Sequence, residues 1–600
     1  MCIVLFLGQA ILWHTSTSFP KGEHPIQTLM SAAQAQHQAW KKQAAGSRSL
    51  QEAVISYQVR YRRSPPPHFD RWYNYAMLQG SVIIDDFDSV DRDLAPFWAL
   101  PPDEVRKRTW EAISNPWNDL GGIMIRNAQA EIGANVPGSH RWMLEGVVNM
   151  INHFVMWLPD MDLAFNLNDE SRVIVPYQPP LILEPAGERA TQLGSLRDFS
   201  AQRQEQWQPL PATPLHDTRF QERSWHRTFT EFGIVGCPAG SMAKRERRWD
   251  LSSFCASCFA PHGYSQFVKN WTLAADPCHQ PDLGDLQGFY LSPSAFKVST
   301  DLVPVFSQSR AGGFHDILYP SAWNYEDKAV YRPNDEFPDR PFAEKETTLF
   351  WRGATTEGVS SGGGEWRGMT RQRLVHLFTN GSDADSQAVL LPTSNSAHPS
   401  YSIRSVRTSH LRAQLSTSLR FVDHIERCAG RDCADQHAEF APQYVRGSDF
   451  QEHWRYKYLF DADGAGFSGR FLPFLRSGSV PFKVGVMREW WQDRVTPWVH
   501  FVPVDVRLKE AWSLLVYFAG WRGTGGAPDE AVDGDGRRTY ADWAMPPHDG
   551  EAEAIALAGR EWADKVLRKE DMEVYLFRLL LEWGRITDDA RDELGFQLEE

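Results

Sequence analysis

Residues 456–476 read YKYLFDADGAGFSGRFLPFLR, in which a strand-like apolar run leads through a glycine-rich turn into an apolar helix. Glycines in such a turn let backbone N–H groups approach a phosphate closely, and the N-terminus of the following helix adds free donors. Ser468 offers a hydroxyl donor, and Arg470 offers a guanidinium fork that matches phosphate oxygens. The alternative is an ordinary glycine-rich turn with a surface arginine.

The same alternation of strand, glycine turn and helix extends on both sides of this run. Upstream, a strand at 347–351 leads into a glycine-rich turn and a helix near 370–379, and downstream two strands follow at 480–484 and 498–504. This alternation is typical of a doubly wound parallel sheet. We therefore predict an α/β protein of two Rossmann-like lobes with a C-terminal helical tail, read as two amphipathic helices over 550–583.

Length and composition favour several domains in an ordinary globular chain. The 600 residues are too many for one hydrophobic core, and 42% are hydrophobic and 23% charged. We predict an N-terminal apolar run and helical stem over 1–60, a first lobe with a cysteine-containing insert over 61–345, a second lobe over 346–525, and a linker with C-terminal helices over 526–600. The net charge of −14, without a long basic stripe, argues against a nucleic-acid partner.

The N-terminus leaves two interpretations open. Residues 2–13 form an apolar run that is shorter than the ~20 residues of a membrane span, and no basic residue precedes it as in a signal peptide. A clipped signal anchor and a misplaced start would both produce this pattern. Sequons at Asn270 and Asn380 fit a secretory route.

The cysteines are clustered along the chain. Six of the seven lie in two groups, one between Cys237 and Cys278 and the other formed by Cys428 and Cys433. Clustering of this kind predicts local disulfides in an oxidising compartment. The alternative is a zinc site, for which the candidate ligands are Cys255, Cys258, Cys278 and His279. The adjacent pair Cys278 and His279 lacks the usual two-residue gap of zinc ligands.

Several polar residues are candidates for chemistry. Asp169 follows a strand-like run, where α/β proteins place functional side chains, and could deprotonate an acceptor hydroxyl; the alternative is a helix cap or a solvated turn residue. Arg371 opens the helix after the glycine-rich turn at 351–358, so two basic turns in one lobe could hold a diphosphate. Asp461 and Asp463 have a spacing that could hold a divalent ion against that diphosphate.

Five segments in a fixed order carry a resemblance to a known family. They are LPDMDLAFNLND (158–169), FHDILYP (314–320), FWRG (350–353), YKYLF with SGRF (456–460 and 468–471) and WVHFVP (498–503). Together they resemble glycosyltransferase family 90, which includes the Rumi-type protein O-glucosyltransferases and the fungal capsule-associated xylosyltransferases. The resemblance runs from about residue 55 to 595. The segments at 60–67, 85–88 and 562–578 resemble the fungal branch.

The resemblance implies a GT-B fold, a UDP-sugar donor, inversion at the anomeric carbon, and no cofactor or metal. It places Asp169 at the catalytic base and Ala354 and Arg371 at donor contacts. The loop around the diphosphate would comprise Ala465, Gly466, Phe467, Ser468, Gly469 and Arg470. The resemblance disagrees with an ion at Asp461 and Asp463, and we follow it, because cationic and backbone donors can offset diphosphate charge without an ion.

The expected activity is transfer of xylose or glucose from a UDP-sugar to a hydroxyl of a glycan or glycoprotein. The expected location is the lumen of the Golgi or endoplasmic reticulum, with a possible N-terminal anchor of type II. Glu170 follows Asp169 where the animal enzymes tend to carry an aromatic residue, and the insert at 178–300 has no clear counterpart there, so acceptor identity is not carried over. The alternatives are an inactive UDP-sugar- or glycan-binding protein and a glycoside hydrolase, which needs two carboxylates flanking a sugar cleft.

Overall fold

A computed structural model of the chain describes residues 22–177, 194, 196–201, 203–246, 254–380, 382, 385–394, 398–422, 424–441, 444–445, 447, 449–523, 531–532, 538–539 and 544–598. The predicted apolar run at 2–13, with any anchor it forms, and most of the predicted linker after residue 525 lie outside these ranges. Among the described residues, no helix combines the length and the apolar character that crossing a bilayer requires.

The first lobe is built around a mixed five-stranded sheet. Its strands are β1 (Leu120–Arg126), β2 (Gln129–Ile132), β3 (Met161–Asn166), β4 (Phe306–Ser307) and β5 (Ile317–Leu318), in the order β5-β4-β3-β1-β2. β1 pairs antiparallel with β2 and β3, whereas β4 runs parallel to β3 and β5. Asn127 and Ala128 both have positive φ, as a tight hairpin between β1 and β2 requires. β3 is buried at every position and forms the middle of the sheet.

Helices cover this sheet on both sides. The helices described up to residue 152 are Pro25–Ala44, Leu50–Tyr61, Phe69–Leu78, Asp88–Leu94, Pro102–Ser114 and Gly138–Asn152. The first of them packs Ile26, Leu29 and Ala33 into the hydrophobic cluster of the second lobe. The first two of these helices lie in the segment up to residue 60 that was predicted to form a helical stem.

The second lobe is built around a fully parallel sheet. Its strands are β6 (Glu346–Gly353), β9 (Ser416–Phe421), β10 (Tyr456–Ala462), β11 (Val480–Val484) and β12 (Val502–Val504), and an antiparallel hairpin of β7 (Ser386–Pro392) and β8 (Tyr401–Arg407) lies beside it. The strand order is β9-β6-β10-β11-β12, and every pair is parallel. The predicted strands at 347–351, 456–460 and 480–484 are confirmed, whereas the one at 498–504 is shortened to β12. The helices of this lobe are Thr370–Val375, Thr408–Gln414, Arg431–Phe440, Phe471–Arg476 and Ala511–Ala519.

These two sheets confirm the α/β class. The first sheet contains antiparallel pairs, which a doubly wound parallel sheet does not, so the pairing of two Rossmann-like lobes in a GT-B arrangement stays a prediction.

The insert consists of short elements. They are the helices Arg203–Gln206, Met242–Arg245, Ala256–Phe259 and Gly288–Leu291, and two-residue ladders that join Gln221–Glu222 to Lys297–Val298 and Gly263–Tyr264 to Phe267–Val268. The helix Ala322–Tyr325 follows β5, and further ladders join Arg310–Ala311 to Met487–Arg488 and Ala531–Val532 to Arg538–Thr539. Phe289, Tyr290 and Phe296 of the insert share one hydrophobic cluster with Leu349 and Trp351 of β6. The insert therefore packs against the second lobe.

Two long helices, Asp549–Val566 and Lys569–Ile586, close the chain where two were predicted. The amphipathic interpretation is wrong for the last helix, which is buried on all sides from Asp571 to Ile586. Burial on all sides is possible because the charges inside it are paired: Glu582 accepts from Arg585 and Arg578 of the same helix and from the Tyr57 hydroxyl. Despite burial, Arg585, Arg578 and Arg63 lower the pKa of Glu582 to about 2.

Three disulfides confirm the prediction of local crosslinks: Cys237–Cys278, Cys255–Cys258 and Cys428–Cys433. The zinc alternative needed Cys255, Cys258 and Cys278 as free thiolates, and all three are oxidised. That ligand set is therefore wrong.

Candidate active site

The candidate base, Asp169, stands on a turn that leaves the buried strand β3. Asn166, the last residue of β3, holds this turn with both ends of its amide: Nδ2 donates to the Glu170 carbonyl at 2.8 Å, and Oδ1 accepts from Asn168 N at 3.1 Å. The short polar side chain at the strand end therefore fixes the path of the backbone on both sides of Asp169.

Asp316 anchors the chain just after this turn. Its buried carboxylate accepts from Arg172 N at 2.9 Å, from Val173 N at 3.0 Å and from Ser307 Oγ at 2.6 Å. Asp316 belongs to the segment at 314–320 that carried part of the resemblance, but the sequence analysis assigned it no role. Its role here is to hold the base-bearing segment against β4 and β5.

Glu170 joins the base turn to the insert. One oxygen of its buried carboxylate, Oε1, accepts from Ser294 N at 2.8 Å, from Ser294 Oγ at 2.6 Å and from Ala295 N at 2.9 Å. Arg427 of the second lobe donates through Nη1 to Ser294 Oγ at 2.9 Å and to the Thr356 carbonyl at 2.8 Å. A continuous set of hydrogen bonds therefore runs from the base turn through the insert to the second lobe.

The candidate diphosphate loop, Ala465 to Arg470, follows β10 and lies directly against Asp169. A Cβ atom placed on Gly466 would lie 2.5 Å from the Asp169 carbonyl oxygen and 3.1 Å from its Cβ. At the other end of the loop, Asn324 Nδ2 of the first lobe donates to the Gly469 carbonyl at 3.0 Å. Glycine at 466 thus allows the loop and the base turn to touch across the cleft, as only a residue without a side chain can.

Arg371 reaches the carboxyl ends of β6 and β10, which are parallel neighbours in the sheet. Its buried guanidinium donates to the carbonyls of Asp463 at 2.8 Å, Ala354 at 3.0 Å and Ala462 at 3.3 Å, and to Thr356 Oγ1 at 3.1 Å. Among the described residues, no carboxylate lies within ion-pair distance of it. Burial and the nearby Arg470 lower the pKa of Arg371 to about 10.

Arg470, like Arg371, donates mainly to backbone carbonyl groups. Its guanidinium donates to the Arg352 carbonyl, to the Ala462 carbonyl at 3.2 Å and to Ser468 Oγ at 3.2 Å. The carboxylate of Asp461 is 4.0 Å away, and burial lowers the pKa of Arg470. The Ala462 carbonyl accepts from both Arg371 and Arg470, so two positive charges converge on one carbonyl group, and the carboxylate of Asp461 is bound more closely by Lys483, at 2.8 Å, than by Arg470.

The acidic pair beside the loop has a different environment. Lys483 Nζ lies 2.8 Å from Asp461 Oδ2 and 3.6 Å from Asp463 Oδ1, and Asp463 Oδ2 accepts from Met487 N at 2.9 Å. The Ser468 hydroxyl, which we predicted to contact phosphate, donates to Asp461 Oδ1. An ammonium group therefore stands between the two carboxylates, where a divalent ion would have to bind.

The electrostatics around Asp169 suit a base that works near neutral pH. The Asp169 side chain is open to solvent, yet the protein that walls the cleft raises the pKa of its carboxyl to about 6, and Glu170 raises it further, against the lowering effect of Arg427, His140 and Arg371. A carboxylate with this pKa is ionised at pH 7 and still a useful proton acceptor.

The structure brings together all the residues predicted for the site. Contacts connect Asp169, Arg371, Ala354 and the loop from Ala465 to Arg470, although Ala354 contributes its carbonyl to Arg371. Sequence reasoning gave no role to Arg427 and Glu357. Glu357 is buried and accepts from Thr370 N and Arg371 N, which orients the start of the helix that bears Arg371. Glu357 lies 13 residues before Thr370, too far along the chain for a local capping signal to identify it.

The chain is similar to known O-glucosyltransferases over about half its length. It is 27% identical over 298 residues to the O-glucosyltransferase rumi homolog of Anopheles gambiae (48% of this chain, 57% of that protein). It is 25% identical over 302 residues to protein O-glucosyltransferase 1 of Homo sapiens (49% of this chain, 60% of that protein), and 31% identical over 140 residues to the rumi homolog of Aedes aegypti (23% and 28%). The chain thus spans less than two thirds of these relatives. No family model matches it.

Proposed function

We propose that the chain is an inverting glycosyltransferase that moves xylose or glucose from a UDP-sugar to a hydroxyl of a glycan or glycoprotein. One observation carries the proposal: a base and two buried arginines, both held mainly by carbonyl groups, lie on either side of a single loop. Gly466 of the loop touches Asp169, and a Cβ on Gly464 would lie 3.2 Å from Arg371 Nη2. A donor bound between them would have its diphosphate at the arginines and its sugar near the base.

The diphosphate would bind to charge and to backbone donors. Arg371 and Arg470 supply two positive charges, and N–H groups of the loop from Ala465 to Arg470 add neutral donors. The ammonium group of Lys483 lies between Asp461 and Asp463 and takes the place that a divalent ion would need. The proposal therefore requires no metal, and we expect EDTA to leave activity unchanged.

The reaction would be a single displacement. Asp169 removes the proton of the acceptor hydroxyl as that oxygen forms a bond to the anomeric carbon, and the bond from this carbon to the UDP oxygen breaks with its electron pair leaving on UDP. Attack from the face opposite UDP converts an α-linked donor into a β-linked product. Arg371 and Arg470 stabilise the charge that grows on the leaving diphosphate.

Two further observations support the proposal. The relatives are named as O-glucosyltransferases, which favours the transferase class and glucose as one donor sugar. Three disulfides fit an oxidising compartment and support the proposal that the protein works in the lumen of the endoplasmic reticulum or Golgi.

The test is UDP release and sugar transfer from a panel of UDP-sugars, with and without EDTA. We expect Asp169→Asn to slow transfer by ~10²–10⁴-fold and to keep UDP affinity, because only the proton acceptor is lost. The control is Asp198→Asn, whose side chain is 87% exposed and lies outside the site.

Each contrary outcome points to a different alternative. Transfer activity of Asp169→Asn close to that of the unmodified chain would show that Asp169 is not the catalytic base. Saturable UDP binding without turnover in the unmodified chain would favour the inactive binding protein. Absence of UDP binding would overturn the proposal and favour the alternative that the chain is a glycoside hydrolase.

A further inference from the structure

Trp225 is a strongly exposed aromatic residue in an unusual backbone conformation. Its side chain is 60% exposed, and it belongs to none of the hydrophobic clusters of the described residues. Its φ of 65° lies in the left-handed region, which bulky residues rarely adopt. Strained residues of this kind persist where the surroundings hold them, and they cluster at ligand-binding positions.

Specific contacts hold Trp225 in place. Its backbone N donates to the Pro293 carbonyl at 2.8 Å, and its indole Nε1 donates to the Ser294 carbonyl at 3.2 Å. With the N–H group anchored at one edge of the ring and most of the side chain exposed, the indole presents apolar surface to solvent in a fixed orientation.

The anchor of Trp225 is the same residue that joins the base turn to the insert. Ser294 donates through N and Oγ to Glu170, the neighbour of Asp169, and accepts from Arg427 Nη1. Arg427 also has a left-handed φ, of 54°, and an exposed side chain. Two strained residues with exposed side chains therefore meet at Ser294, next to the candidate base.

The chemistry of this pair fits a saccharide. A broad apolar ring face can cover the C–H face of a pyranose, and a guanidinium can donate to ring hydroxyls. An aromatic surface with a few fixed polar groups is typical of sites for small polar ligands. A peptide acceptor would need backbone hydrogen-bond partners, and an exposed indole face offers none.

We propose that Trp225, together with Arg427, which bonds to the same serine, forms an acceptor subsite that stacks a sugar ring, so that the acceptor is a glycan. This inference rests on the proposed transferase function and extends it to the acceptor class. The acceptor hydroxyl would reach Asp169 from the side of the insert, while the donor is held by the second lobe.

The test measures glycan binding directly, without turnover. The full chain, saturated with UDP, is applied to immobilised xylo-, manno-, gluco- and galacto-oligosaccharides and to serine- and threonine-containing peptides. We expect binding to an oligosaccharide class, a fall in affinity of about tenfold or more for Trp225→Ala, and partial retention for Trp225→Phe. The matched control is Trp110→Ala, because the Trp110 indole also donates to a backbone carbonyl, that of Pro209, at 2.9 Å.

A second variant separates loss of the ring from loss of the fold. Trp225→Gly removes the indole and also removes the left-handed strain, because glycine adopts this conformation freely. We expect its Tm to equal or exceed that of the unmodified chain while glycan binding is lost.

Either of two results would overturn the inference: undiminished glycan binding by Trp225→Gly, or binding of peptides and of no oligosaccharide by the unmodified chain. Failure of the proposed function would be separate, since it would appear as absent UDP binding and release.

Discussion

Arg507 and Arg371 are both buried in the second lobe, and they differ in what surrounds their charge. Arg507 donates to Asp282 Oδ1 at 2.6 Å, to Asp505 Oδ1 at 3.0 Å and to Gln280 Oε1 at 3.1 Å. Burial opposes its charge, yet the two carboxylates raise the pKa of Arg507 above its usual value. Arg371 donates to carbonyls and one hydroxyl, and its pKa falls to about 10.

This difference separates a structural arginine from a binding arginine. A buried cation with paired carboxylates is already neutralised and contributes to the fold as long as every partner is present. A buried cation held only by dipoles leaves its charge to be neutralised by something else, and an anionic ligand would do so. Arg470 is intermediate between the two, because its guanidinium lies 4.0 Å from Asp461 Oδ1, whereas Lys483 Nζ lies 2.8 Å from Asp461 Oδ2.

The largest expected effect is on stability, at Arg507. Arg507→Ala leaves Asp282 buried without its arginine and leaves Asp505 with His262 alone, so we expect the free energy of unfolding to fall by about 3–5 kcal/mol. Urea unfolding followed by far-ultraviolet circular dichroism measures it. Arg431→Ala is the control, because the Arg431 side chain is 85% exposed, and its change should stay within about 0.5 kcal/mol. Equal stability of the two variants would contradict the structural role of Arg507.

The next effect is on UDP affinity, at Arg371. Arg371→Ala removes charge-assisted donors to the diphosphate, which we expect to weaken UDP binding by about 1.5–3 kcal/mol, roughly 10- to 150-fold. Its stability loss should be smaller than that of Arg507→Ala, because relief of repulsion with Arg470 offsets the carbonyl acceptors left unpaired. Titration calorimetry with UDP measures the affinity. An unchanged UDP affinity in Arg371→Ala would show that Arg371 does not bind the diphosphate.

The sequence predicted the second lobe better than the first for a physical reason. β10, its glycine turn and the helix after it are contiguous, so local apolar pattern and glycine content define them. β4 and β5 are two residues long and depend on distant partners, such as Phe165 opposite Phe306. No local pattern specifies a strand of that length.

The candidate site also contains residues that a local pattern predicts and residues that it does not. Asp169 and Arg470 each come shortly after a strand in the sequence, and this position identified them as candidates. The contacts of Ser294 with Glu170 and of Arg427 with Ser294 join residues 124 and 133 positions apart. Their meeting depends on how the insert packs, which the sequence of any one segment does not contain.

The smallest expected effect is a shift in pH dependence, and it involves a third, exposed arginine. Asp169 must be ionised to accept a proton, so with its pKa at about 6 the value of kcat/KM for the acceptor should fall about tenfold per unit below pH 6 and level off above it. Arg427 is the strongest of the groups that lower the pKa of Asp169. Removing this cation in Arg427→Gln should therefore raise the pKa of Asp169. The acid limb of the pH profile, where kcat/KM falls with falling pH, should then move to higher pH.

Arg427→Lys is the matched variant, because it keeps the charge while it loses the fork that joins Ser294 to Thr356. If the positive charge at 427 lowers the pKa of Asp169, the acid limb of Arg427→Lys stays where that of the unmodified chain lies. If the guanidinium geometry helps to bind the acceptor, KM for the acceptor rises without a shift of the limb. Arg507→Ala, measured at a temperature where it remains folded, should leave the limb in place, since Arg507 is not among the groups that perturb Asp169. An acid limb that does not move in Arg427→Gln would assign the titration to a group other than Asp169.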